Sequence, residues 1–296
     1  MRKAFIQLHL SILLAGFTGI LGKIILLNEG LLVWYRIFIS ILVMLILAPT
    51  GWLKGGILHK PLLGGASAKM MGVGALLALH WIFFFGSIKA SNVSIGVVCF
   101  SLTSLFTALL EPLLNRRRIL VKEVLFSFIP LLGVLLIFHF DVRYRVGILL
   151  GIASSLLAAL FTIANKSVGK ERAATVLLFY EMVGGCLCLS VLMPFYLHYF
   201  PVETLLPGLG DFFWLLVFSI CCTVLLYILQ IEVLKSISAF TLNLSYNLEP
   251  VYSILLAMLF LGEAKALNFS FYIGLGLILF SVLLQTRYVL KRGRRG

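Results

Sequence analysis

Glu249 and Pro250 stand together inside a stretch, Ser236 to Gly262, whose two arms of 13 residues carry no other charge. Proline lacks an N–H and disfavours helical geometry at the residue before it, so a backbone carbonyl is freed beside a carboxylate. Such a pair can hold a cation or a proton. The same stretch carries Thr241, Asn243, Ser245, Tyr246, Asn247 and Tyr252, the densest polar cluster of any apolar segment in the chain. Asn243, Tyr246, Asn247 and Pro250 recur at steps of three, four and three and would share one helical face. Glu249 lies beside that face, next to Tyr246 and Ser245 one turn back.

Few other residues offer chemistry. Arg36 and Glu181 each sit within an apolar run, with opposite charge. His80 and Trp81 lie in the middle of another run, Thr103 and Thr107 in the next, and Tyr227 in a later one. Together with Asn243, Tyr246, Asn247 and Glu249, these five residues are the candidate lining of a substrate cavity. Glu249, Glu181 and Arg36 are candidates for coupling or gating. A helix-to-helix hydrogen-bonding role competes with each assignment. Glu111, followed by Pro112, stands beside Arg116, Arg117 and Arg118 and reads as one half of an interfacial ion pair.

Catalysis finds little support. His9, His59, His80, His139 and His198 are scattered through unrelated segments, and no zinc-protease, serine-hydrolase or phosphate-binding motif occurs. Cys99, Cys186, Cys188, Cys221 and Cys222 lie in apolar runs without metal-ligand spacing and read as small buried hydrophobes. No catalytic residue, metal site or cofactor is expected. A membrane-embedded enzyme or a channel remains the alternative, each lacking a recognisable motif.

The elements that position these residues follow from composition. Of 296 residues, 61% are hydrophobic and 12% charged, and mean hydropathy is +1.12, far outside the soluble range. Uncharged runs long enough to cross a bilayer, which takes about 20 residues, span 4–22, 70–88, 90–110, 146–165, 182–202, 212–231 and 266–286. Two shorter runs, 37–53 and 124–140, cross by tilting or by borrowing flanking residues. The stretch around Glu249 is read as one further helix with the acid inside it. That makes ten spans in an all-α integral membrane protein.

The cations orient it. With the N-terminus inside, eighteen of the 24 lysines and arginines fall on the inner side and four in outer loops, while Lys23 and Arg36 sit near the outer face. Both termini are therefore expected in the cytoplasm and the protein in the cell inner membrane. The net charge of +13 is an orientation signal, and the tail at 291–296 anchors the chain at the membrane surface. Nucleic acid is excluded as a partner. The partners expected are the lipid bilayer and a small molecule, for a monomer or homodimer. Lys23 and Lys89 end their spans and are expected to snorkel outward. Gly16, Gly19 and Gly22, and Gly147 with Gly151, make small-residue strips for close helix packing.

A duplication is legible. Sliding the chain by 146 residues sets Lys89 on Lys235, Trp81 on Tyr227, Phe106 on Tyr252 and Ser104 on Pro250, with Thr103 opposite Glu249. Gly22-Lys23 meets Asn165-Lys166 at 143 and Trp34-Tyr35-Arg36 meets Phe179-Tyr180-Glu181 at 145. Five spans per half is an odd number, so the second copy enters the membrane from the opposite side. The expected organisation is two inverted five-helix repeats, 1–140 and 146–290, an arrangement that supports alternating access.

Leu248-Glu249-Pro250-Val251-Tyr252, Ala257 and Leu261-Gly262-Glu263 resemble the second-half signature of EamA-type transporters of the drug/metabolite transporter superfamily. Gly16 to Lys23, Trp34-Tyr35-Arg36 and His80-Trp81 through Ser87-Ile88-Lys89 resemble its first-half segments. Ser104 and Asn115-Arg116-Arg117 depart from that pattern, where proline and Gly-Glu are usual. The resemblance implies a ten-helix, exporter-like fold that carries amino acids, related metabolites or amphiphilic compounds through a central cavity without nucleotide hydrolysis.

Overall fold

A computed structural model describes residues 2–51, 65–140, 144–170, 172–262 and 269–293. The long elements among them are helices: α1 (Arg2–Ile24), α2 (Glu29–Leu47), α3 (Gly65–Ala90), α4 (Val93–Phe100), α5 (Thr103–Leu114), α6 (Val121–Phe140), α7 (Arg145–Gly169), α8 (Ala174–Tyr199), α9 (Leu209–Ser219), α10 (Leu226–Leu234), α11 (Ala239–Tyr246), α12 (Glu249–Phe260) and α13 (Phe269–Gly293). One 3₁₀ turn, Ala48–Thr50, extends α2, and a π-helical turn, Ile220–Leu225, joins α9 to α10. Seven segments among the described residues are long and apolar enough to cross a membrane: Ile6–Ile24, Glu29–Thr50, Gly65–Ala90, Val93–Leu114, Arg145–Gly169, Ala174–Tyr199 and Leu209–Leu234.

The stretch around Glu249 is not the single helix expected. It divides into α11 and α12 at Asn247 and Leu248, and Glu249 opens the second piece. Pro250 explains the break, because it has no N–H to donate to the preceding turn and fits best in a helix's first turn. The same interruption separates α4 from α5 at Ser101 and Leu102, where the corresponding residue is Ser104. Serine hydroxyls bond back to the chain there, Ser101 Oγ to the Val98 carbonyl at 2.6 Å and Ser104 Oγ to the Ser101 carbonyl at 3.1 Å. All four boundaries of α11 and α12 fall 146 residues after those of α4 and α5. Both pairs start from a side-chain cap: Asn92 Oδ1 accepts from Ile95 N–H, and Ser238 Oγ from Thr241 N–H.

Packing crosses between the halves. α3 lies against α7 and α8, while α9 and α10 lie against α2 and α1, and α6 pairs with α13. Glycines set the closest approaches. A Cβ on Gly74 would collide with the Glu181 backbone, and one on Gly184 with the Met71 backbone, so α3 and α8 meet main chain to main chain. The expected small-residue strips do the same: Gly16 faces Tyr252, Gly19 Val93, Gly22 Phe85, Gly147 Ser91 and Gly151 Cys99.

Three polar expectations are corrected. Glu111 forms a bond at an opposing helix start, its Oε2 accepting from Phe240 N–H at 2.9 Å in the first turn of α11, where a negative charge meets orphan donors. Lys23 and Lys89 turn inward across the helix ends: Lys23 Nζ donates to the Ile88 carbonyl at 3.4 Å and Lys89 Nζ to the Ile25 carbonyl at 3.1 Å. Unsatisfied carbonyls at a helix C-terminus attract the ammonium head, while its apolar stem lies comfortably along the helices. In the second half Lys166 Nζ donates to the Leu234 carbonyl at 3.1 Å and to that of Ile237. His59, Glu263, Lys265 and residues 294–296 of the tail lie outside the described residues.

Candidate functional site

Where the halves meet, residues of α1, α2, α3, α4, α7, α10, α11 and α12 line a cavity of about 50 Å³. Arg36, His80, Trp81, Tyr227, Asn243, Tyr246 and Glu249 line it, all named from the sequence. The structure adds Ala15, Thr18, Phe84, Phe85, Phe100, Ala158, Phe161, Thr162, Leu226 and Gln230. Trp81 and Tyr227, 146 residues apart, touch: the indole Nε1–H donates to the Tyr227 hydroxyl at 3.0 Å and the rings cross edge to face.

Arg36 is the cation buried in the cavity wall. Only 1% of it is exposed, and its guanidinium lies between the Trp81 ring at 3.8 Å and the Phe218 ring at 4.1 Å. Two aromatic faces in a desolvated site stabilise a cation by about 2 kcal/mol or more. Nε–H donates to Thr223 Oγ1 and Nη2–H to the Cys222 carbonyl, both at 2.7 Å. The π-helical turn makes this possible. There the Leu226 N–H reaches back to Cys221, so the Cys222 carbonyl is available, and Thr223 Oγ1 donates to the Phe218 carbonyl at 3.1 Å. Nη1 has no partner.

Glu181 forms no ion pair with Arg36. It is fully buried and does not line the cavity; Asn165 Nδ2–H donates to its Oε1 at 2.7 Å. Its Oε2 and the Asn165 Oδ1 are unpartnered. Thr103, Thr107 and Asn247 also stand outside the cavity lining. Thr107 Oγ1 accepts from Asn243 Nδ2–H at 2.8 Å, and Ser104 Oγ accepts from Asn247 Nδ2–H at 3.2 Å, so both asparagines tie α11 and its end to α5. The Thr103 hydroxyl is buried without a partner. His80 is held by α7, with Nδ1 at 3.0 Å from the Ser154 carbonyl and 2.9 Å from its hydroxyl.

Phe218, Thr223 and the Cys222 carbonyl escaped the sequence reading, because no residue pattern announces a π-helical turn. The aromatic wall escaped it too: in a chain with 24 phenylalanines, a ring that faces a cavity reads like one that faces lipid.

A second cavity, of about 240 Å³, opens at the end of the bundle that holds the C-termini of α7 and α10. Arg117, Lys166, Lys170 and Lys235 line it with Glu111 and Asn165. It comes within one residue of the central cavity on two helices: Ile163 follows Thr162 on α7, and Ile231 follows Gln230 on α10. Among the described residues no cluster of side chains could hold a metal ion, and the five cysteines are unbridged.

Residues 145–287 match the model of the EamA-like transporter family. No curated protein matches the chain. A solved structure titled "Crystal structure of protein" superposes with a TM-score of 0.67 at 19% identity, covering 95% of this chain and 96% of that one, a likeness of fold. Residues 145–287 thus match an EamA-like transporter domain, and the chain, with its several helices apolar enough to cross a bilayer, is a multi-pass membrane protein.

Proposed function

We propose that the chain is a secondary transporter, an exporter of small metabolites such as amino acids or amphiphilic compounds, working by alternating access around the central cavity. It crosses the inner membrane ten times as two inverted five-helix repeats, 1–140 and 146–290, with both termini in the cytoplasm. The observation that carries this reading is the cavity between the halves, where Trp81 meets its repeat counterpart Tyr227 beside Arg36 and Glu249. The 146-residue register of α4–α5 with α11–α12, and the reciprocal packing of each half's third span on the other half, support the repeats. Lys69, Arg117, Lys166, Lys170, Arg172 and Lys235 gather around neighbouring cavities at one end of the bundle, which supports a cytoplasmic assignment for that end.

At about 50 Å³ the cavity takes a few water molecules, whereas sites for small organic ligands span roughly 300–1,000 Å³. In this conformation the cavity is too small to hold such a ligand. Ile163 and Ile231 line the basic cavity one residue from Thr162 and Gln230 of the central one, so separation of α7 from α10 would open the site to that side.

Glu249, which is 3% exposed, is the proposed coupling residue, and Glu181 and Arg36 are held ready for gating. The test is transport by the purified chain in proteoliposomes under an imposed proton gradient. Glu249→Gln should insert normally yet lose the gradient-driven component. A Glu249→Gln protein that transports at the wild-type rate at every pH removes Glu249 from coupling.

A further inference from the structure

The site contains a built but incomplete arginine clamp. Arg36 commits Nε–H to Thr223 and one N–H of Nη2 to the Cys222 carbonyl, and its guanidinium carbon lies over the Trp81 and Phe218 rings. Of the five N–H donors, one on Nη2 and both on Nη1 remain uncommitted, and Nη1 is buried and without a partner. No carboxylate among the described residues pairs with Arg36, although the residue lines the cavity. A guanidinium keeps its charge even when buried, so the missing partner is an anion. Nη1 can donate a charge-assisted hydrogen bond to a carboxylate oxygen. Phe84, Phe85, Phe100 and Phe161 give the cavity an aromatic side, next to the polar Thr18, Thr162, Gln230, Asn243 and Glu249.

Deepening the transport reading on which it rests, we infer that Arg36 receives the carboxylate of the transported molecule at Nη1, and that this molecule is an organic acid with an apolar or aromatic body. The basic mouth supports the same polarity. Arg117, Lys166, Lys170 and Lys235 surround the cavity that approaches the site most closely, and a funnel of one sign concentrates ions of the other. The π-helical turn is then the device that positions the clamp, since it supplies both the carbonyl and the hydroxyl that hold the guanidinium from behind.

The experiment uses the full chain in lipid nanodiscs and three probes of one shape: 3-phenylpropionate, its neutral amide 3-phenylpropionamide, and 3-phenylpropylamine. Trp81 lies against the guanidinium, so its emission reports binding alongside thermal stabilisation. The acid should bind saturably and at least tenfold more tightly than the amide or the amine. Arg36→Gln should weaken the acid by roughly tenfold to a hundredfold and leave the amide unchanged, the loss expected of one charge-assisted hydrogen bond. Arg36→Lys should also lose at least tenfold, because an ammonium cannot hold Thr223 and Cys222 while donating forward. Equal affinity for acid and amide, no binding of the acid, or a folded Arg36→Gln protein that binds the acid like the unaltered chain overturns the assignment. Where the variants fail to fold, acid against amide on the unaltered protein decides it. Proteoliposome uptake separates the two readings. Acid binding without uptake refutes transport and leaves the clamp standing, whereas uptake indifferent to the carboxylate does the reverse.

Discussion

Two glycines on α3, two residues apart, should respond to the same substitution in opposite directions. Gly72 is exposed, and a Cβ there would meet nothing within 4 Å. Gly74 is buried, and its Cβ would overlap the backbone of Glu181. In Gly72→Ala the added methyl restricts the less ordered chain and favours the helix, a gain of up to about 0.5–1 kcal/mol. In Gly74→Ala the obstacle is main chain, so no rotamer change relieves it and α3 must move away from α8. Overpacking a core by one methyl costs about 1–3 kcal/mol, and an unyielding carbonyl puts this site at roughly 3 kcal/mol or beyond. The displacement also reaches Glu181 itself and its bond from Asn165. Thermal unfolding of the purified protein in detergent, compared among the two variants and the parent, reads both effects. The expected order is Gly72→Ala at or above the parent and Gly74→Ala well below it. A Gly74→Ala protein as stable as Gly72→Ala refutes the main-chain contact between α3 and α8.

Asn243→Ala removes the bond to Thr107 and a 3.3 Å contact from the Thr162 hydroxyl. Both threonines also bond back to their own helices, so the loss should stay near 1–2 kcal/mol by the same unfolding measurement. Ser238→Ala and Asn92→Ala each delete a helix cap and should each cost about 1 kcal/mol, equal within a factor of two if the capped pairs are true counterparts. A double-mutant cycle of Trp81→Phe and Tyr227→Phe should give a coupling of about 0.5–1.5 kcal/mol; strict additivity contradicts the 3.0 Å bond between the halves.

Much of the architecture was legible because lipid as solvent imposes a severe filter on sequence. Long uncharged runs marked the helices, and the 146-residue offset that pairs Trp81 with Tyr227 also predicts where α11 and α12 begin and end from α4 and α5. Arg36, His80, Trp81, Tyr227, Asn243, Tyr246 and Glu249 could be picked out because a polar or amphipathic side chain at membrane depth is costly unless it meets a cavity or a partner. That filter does not distinguish the two outcomes. Glu249 met a cavity, whereas Glu181 met Asn165, and Asn247 met Ser104.

Residue order alone was enough to show that the chain lives in a bilayer, that a 146-residue offset relates α4 and α5 to α11 and α12, and which few charges must be sheltered, since hydropathy, count and spacing are properties of the chain itself. Only the tertiary structure decided how each charge is sheltered. The Arg36 clamp depends on Phe218, Cys222 and Thr223, almost two hundred residues away, and on one turn widened from α to π geometry. The inward turn of Lys23 and Lys89 depends likewise on which helix ends lie side by side. A hydrogen bond is decided within a few tenths of an ångström, and distances on that scale are set by helix packing, which no local pattern of residues encodes.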